Sequence, residues 1–140
     1  MKKLVLSVFL LLGVMAVKAQ GGFQQLPPAE RAKALFTNER YASFAFTEDQ
    51  KAKITPLLTK FYASSDSLMA TMPADGDRQA AFQAIAPKRA AIAEPVEKAI
   101  VAMLTPEQKK AYDEALAAAK ERNPNATSVF TRGFGGRPRN

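Results

Sequence analysis

The sequence predicts an all-α protein of about four long, kinked helices, folded as a bent, hairpin-like bundle. Three observations predict it. Ile54, Leu57, Leu58, Phe61, Tyr62, Leu68, Met69 and Met72 follow the i, i+3, i+4, i+7 rule of an amphipathic helix. Phe82, Ile85, Arg89, Ile92, Val96, Ala99 and Met103 repeat at alternating spacings of three and four, the seam a helix offers to a partner helix. Two Thr-x-x-Gln tetrads, at Thr47 and at Thr105, have the form of a capping box that opens a helix. No segment alternates apolar and polar residues over a useful strand length.

In chain order, Lys2 and Lys3 precede a short apolar run over residues 4–15, and Val17 and Ala19 supply small residues before Gln20. This pattern predicts a signal peptide over residues 1–19, cleaved near Ala19, and an exported, periplasmic protein. The run is shorter than the roughly 20 residues of a spanning helix, so no membrane insertion is expected after cleavage. Residues 20–27 read as a flexible leader and residues 28–122 as one helical domain. Pro28 suits the first turn of a helix, where its missing N–H costs little. This first helix is expected to end before Phe46. The pentad Phe46-Thr47-Glu48-Asp49-Gln50 then opens the second helix. Residues 73–77 (PADGD) form a turn with Asp75 and Asp77 as possible caps for the third. Leu104-Thr105-Pro106-Glu107-Gln108 opens the fourth, which turns Tyr112, Leu116 and Ala119 to one side. Lys51 and Lys109 occupy the position that would complete a hydrophobic staple, so Phe46 and Leu104 must pack elsewhere. Residues 123–140 lack periodicity and read as a disordered basic tail whose loss leaves the helices intact.

Pro56, Pro87 and Pro95 fall inside the helical patterns. Each removes a backbone hydrogen bond and costs about 3 kcal/mol in a straight helix. Because the apolar spacing continues across Pro87 and Pro95, kinked helices are expected rather than broken ones.

Removing Lys2, Lys3 and Lys18 with the signal leaves 17 basic against 13 acidic side chains, a net charge of +4. Arg132, Arg137 and Arg139 supply three of those charges near the C-terminus. The body is therefore almost neutral, and nucleic acid is not an expected partner. With no cysteine, stability must come from packing or association, and a small core favours a homodimer.

Paired Leu-Thr-x-x-Gln pentads in a small exported helical chain resemble the Spy/CpxP family of periplasmic proteins. The second pentad matches fully, and the first has Phe46 in place of leucine. The resemblance spans about residues 28–122. It implies a cradle-shaped antiparallel dimer of bent helices and ATP-independent binding of unfolded or partially folded envelope proteins. For some relatives it implies instead a regulatory partner of an envelope stress-sensing receptor, or a metal-responsive protein.

Chemistry by inventory points the same way. With neither His nor Cys, no Ser-His or Cys-His nucleophile can be assembled, and no enzyme is expected. Zinc, nickel and copper(II) favour imidazole, so no metal site or cofactor is expected either. Met69 and Met72 could hold a soft ion but continue the apolar stripe of helix two. The candidate client-binding residues are the aromatics Phe36, Tyr41 and Phe44 with the cations Lys53, Lys60, Lys88 and Arg89. Such a mixture attracts carboxylates at long range and holds apolar side chains at contact. Phe46, Thr47, Gln50, Leu104, Thr105 and Gln108 are assigned to helix capping and junction packing.

Overall fold

A computed structural model describes residues 26–132. The predicted signal peptide, residues 20–25 of the expected leader and residues 133–140 of the expected tail lie outside them. The described chain is all-helical: α1 (Pro28–Thr37), a 3₁₀ helix (Glu39–Phe44), α2 (Glu48–Ala70), α3 (Arg78–Val101) and α4 (Pro106–Arg122).

The expected first helix is divided in two. Asn38 adopts an extended backbone and its side-chain oxygen accepts from Arg40 N at 2.9 Å. That local bond competes with helix continuation, as asparagine side chains do. The 3₁₀ helix ends at Ala45, the one non-glycine residue with positive φ (43°) among the described residues. The left-handed step turns the chain so that Phe44 and Phe46 both face inward.

Both α2 and α3 run unbroken through their prolines. Pro56, Pro87 and Pro95 are all exposed, and so are Ala52, Gln83 and Ala91, whose carbonyls lose their helical donors. Water can satisfy those carbonyls, which is why the helices survive. At the turn between them, Asp77 rather than Asp75 is the cap, accepting from Gln79 N and Ala80 N.

The core gathers at one end of the α2–α3 hairpin. Leu35 of α1, Phe44 of the 3₁₀ helix, Ile54, Leu58 and Phe61 of α2, and Ile100 of α3 are fully buried. Each such side chain contributes about 1.5–3 kcal/mol by leaving water. α1 lies along α2, α2 packs on α3, and α4 meets the 3₁₀ helix. The predicted seam on α3 is used within the chain: Ile85 is buried, and Ile92, Val96 and Met103 pack against the core. From Ile92 to Met103 that seam faces the chain's own core and offers no face for a dimer.

The tail expectation is corrected for residues 123–132. Ala126, Val129, Phe130 and Thr131 are buried, and Val129 and Phe130 belong to the main core. Without periodicity they form no helix, yet one aromatic side chain and one carboxylate suffice to hold them.

Candidate functional site

The repeated pentad has a structural explanation that neither copy reveals alone. Both capping boxes are present: Gln50 N and Gln108 N donate to the Thr47 and Thr105 hydroxyls, while Thr47 N and Thr105 N donate to Gln50 Oε1 and Gln108 Oε1. The two boxes are then joined to each other. Gln50 Nε2 donates to Gln108 Oε1 at 2.7 Å, and Gln108 Nε2 donates to Gln50 Oε1 at 2.9 Å. The second amide proton of Gln50 goes to Met103 O and that of Gln108 to Phe44 O, each at 2.8 Å. Each amide thus makes two donated and two accepted bonds, its full capacity. The pentads are two halves of one clasp that fixes the start of α2 against the start of α4. Phe46 and Leu104 flank it, Phe46 buried and Leu104 half-buried against the core.

Beside the clasp lies an aromatic cage. Phe130 sits 4.9 Å from Phe44, 5.5 Å from Tyr112, 5.8 Å from Phe46 and 6.1 Å from Tyr41, measured between ring centroids. Phe44 and Phe46 stack in parallel, and Phe36 meets Phe46 edge-on. The expectation that Tyr41 and Phe44 present a client surface is therefore corrected: both are core, and Phe36 is half-buried beside them. They converge because the left-handed turn at Ala45 stacks Phe44 on Phe46 where the 3₁₀ helix meets α4.

Glu97, on α3, is buried beneath residues 129–131. Its Oε1 accepts from Val129 N at 2.5 Å and Phe130 N at 3.1 Å, and its Oε2 from Thr131 N and Thr131 Oγ1, both at 3.0 Å. Tyr41 Oη donates to Val129 O at 3.2 Å. Sequence reasoning missed this arrangement because Glu97 looks like one of many helix-surface charges. The isolated Val129-Phe130 pair in a polar tail was the signal that could have found it.

Burial raises the phenol pKa values of all three tyrosines. Tyr62 is pushed up to about 12, with the nearby Arg31 and Arg89 opposing the rise. Tyr112 is raised by burial and then by the charge of Glu97 and a hydrogen bond to it, and Tyr41 chiefly by burial. A folded pKa above the unfolded value of about 10 means that this stabilisation is complete below that pH. It is lost as pH rises from about 10 towards 12. Tyrosinate absorbance is expected to appear together with loss of helical signal, well above the normal midpoint. Ordinary titration near pH 10 with the helices intact would contradict this.

The cationic candidates are scattered. Lys53 and Lys60 on α2 and Lys88 on α3 are exposed and form no ion pair among the described residues. Arg89 is half-buried, near Tyr62. Arg31 is paired with Asp66 and stacks over Tyr62 at 4.7 Å, tying α1 to α2. Exposed apolar surface lies at the other end of the hairpin, away from the cage. Phe82, near the start of α3, is 43% exposed, while Leu68 and Met69 near the end of α2 and Met72 in the turn are half-buried. Sequence reasoning had placed Phe82 in the seam and missed its exposure.

Among the described residues no group of His, Cys, Asp or Glu could hold a metal ion, and no helix is long and apolar enough to cross a membrane. No protein-family model matches the chain, and neither a curated protein nor a solved structure does so significantly.

Proposed function

We propose that this protein is an ATP-independent periplasmic chaperone that binds unfolded or partially folded polypeptides on an amphiphilic helical surface. One observation carries the reading: Phe82 is exposed near the turn of the hairpin, at the end opposite the core, where Leu68, Met69 and Met72 are also only half-buried. Methionine-bearing apolar surfaces adapt to many partners because the side chain is unbranched and polarisable. Arg78 and Lys88 on the same helix, with Lys53 and Lys60 on α2, add the positive field that draws in acidic, unfolded chains. The paired pentads, which resemble those of Spy/CpxP proteins, and the export signal support the same assignment.

Prolines on the outer faces of α2 and α3 favour bent rods, the element from which a cradle is built. With the seam turned inward, an antiparallel dimer would have to use the outer face of α3, where Phe82, Ala86 and Ala90 are exposed. Sedimentation of a single monomeric species at tens of micromolar would count against that dimer.

The experiment follows aggregation of several unrelated denatured proteins, without nucleotide, in the presence of residues 20–140. Suppression across unrelated clients is expected at near-stoichiometric ratios. Phe82→Ser is expected to weaken it several-fold with helix content unchanged, since the ring is not part of the core. Suppression of no client would move the assignment to a dedicated regulatory partner of one envelope receptor.

A further inference from the structure

The segment after α4 is held in an unusual way. Its backbone donors at Val129, Phe130 and Thr131 go to a single side chain of α3, not to a helix or a strand ladder. Its carbonyl at Val129 is held by another side chain, Tyr41. The body therefore supplies an acceptor for main-chain N–H groups, a donor for a main-chain carbonyl and a four-ring cage for one aromatic side chain. Apart from the ring and the Thr131 hydroxyl, nothing in that set depends on which residues the segment carries.

We propose that this place is a peptide-binding site for short, non-helical segments bearing one aromatic residue, and that the chain's own residues 126–131 occupy it. The inference rests on the reading above that the protein binds non-native polypeptides. It adds the kind of segment bound and a second surface, distinct from the hairpin tip.

Two further features favour a site over a permanent piece of core. A buried carboxylate is a costly way to fill space, and a well-packed apolar side chain commonly does as well or better. Glu97 makes physical sense as a receptor, because any chain except one with proline at those positions brings the N–H groups it needs. The site is also not closed. An open groove of about 640 Å³ runs on along α3 between Ala90, Ala93, Val101 and Tyr112, with Thr127 and Ser128 of the segment at its edge. Guest side chains larger than Thr127 and Ser128 have room to extend into it. Asn123, Pro124 and Asn125 are exposed and serve as the tether.

The test uses the full mature chain with a protease site inserted in that tether. The folded protein is cut, and a fluorescent peptide of residues 126–132 is added. The peptide is expected to bind the cut protein saturably, to be displaced by unlabelled peptide, and to bind the uncut protein at least tenfold more weakly. Phe130→Ala in the peptide is expected to weaken binding at least tenfold again. If the cut protein keeps its helices but admits no peptide over a day, or if cutting abolishes the helical signal, the segment is simply core and the proposal falls. Denatured clients added as competitors separate the two readings. Peptide binding that no client displaces would leave the site standing and sink general polypeptide binding here. Aggregation suppression without peptide exchange would sink the site alone.

Discussion

Phe130→Ala is expected to lower the free energy of unfolding by about 3–5 kcal/mol, the usual cost of truncating a buried aromatic residue to alanine. The ring is 1% exposed and touches four others, so its removal either leaves a cavity lined by Tyr41, Phe44, Phe46 and Tyr112 or releases the segment and wets them. Both routes strip apolar contacts from the part of the molecule where α1, the 3₁₀ helix, α2 and α4 meet. Small helical domains have about 5–15 kcal/mol in all, so the loss is a large share of the total. Urea denaturation followed by circular dichroism reads it directly. A change below about 0.5 kcal/mol, the range of ordinary surface substitutions, would return residues 123–132 to the status of a dispensable tail.

The helices were legible because they rest on periodicity, which is a local property. The stripe from Ile54 to Met72 and the capping residues Thr47 and Thr105 identify α2 and α4 with nothing but sequence neighbours. The break at Asn38 was harder, since an asparagine within a helical pattern either points to solvent or bonds to its own backbone, and the choice depends on Tyr41 and Phe44 reaching the core. The site was mostly illegible. A run of aromatics reads equally well as surface or interior until partners are known. Those partners, Phe130 and Tyr112, lie 84 and 66 residues beyond Phe46. The spacing of three and four on α3 marks an inward seam from Ile85 onward but not at Phe82, and spacing says nothing about whether the partner is another chain or α2. Glu97 and Phe82 show the same limit from opposite sides: the charge is inside and the ring is outside. Their placement follows from where α3 outruns the core and where the tail crosses it, neither of which any local window contains.

The glutamine clasp offers the second large effect, and one that separates shape from hydrogen-bond polarity. Gln108→Glu changes the side chain very little in size, yet it replaces a group with two donors by one with none. Phe44 O and Gln50 Oε1, which now accept from Gln108 Nε2, would face a carboxylate oxygen instead. Gln50 could turn its amide to offer protons, but its oxygen would then abandon Thr47 N, and the first capping box would open. Each unsatisfied buried polar group costs about 1–3 kcal/mol, so a loss of about 3 kcal/mol is expected at neutral pH. Burial among carbonyls raises the pKa of the introduced carboxyl in the folded state above its unfolded value of about 4.3. The sign of the pH effect follows: the protonated form restores one donor, so the penalty shrinks below that value and grows as pH rises through the folded pKa. Gln50→Glu should behave alike, since Gln50 makes the mirror set of bonds through Met103 O. A cycle of Gln50→Ala and Gln108→Ala avoids setting two carboxylates against each other; there the double variant should cost less than the two singles together, with a coupling of about 0.5–3 kcal/mol, because either change alone already breaks the shared pair. Strict additivity in that cycle would mean that the pentads act as two independent caps, and that their repetition in the sequence has nothing to do with each other.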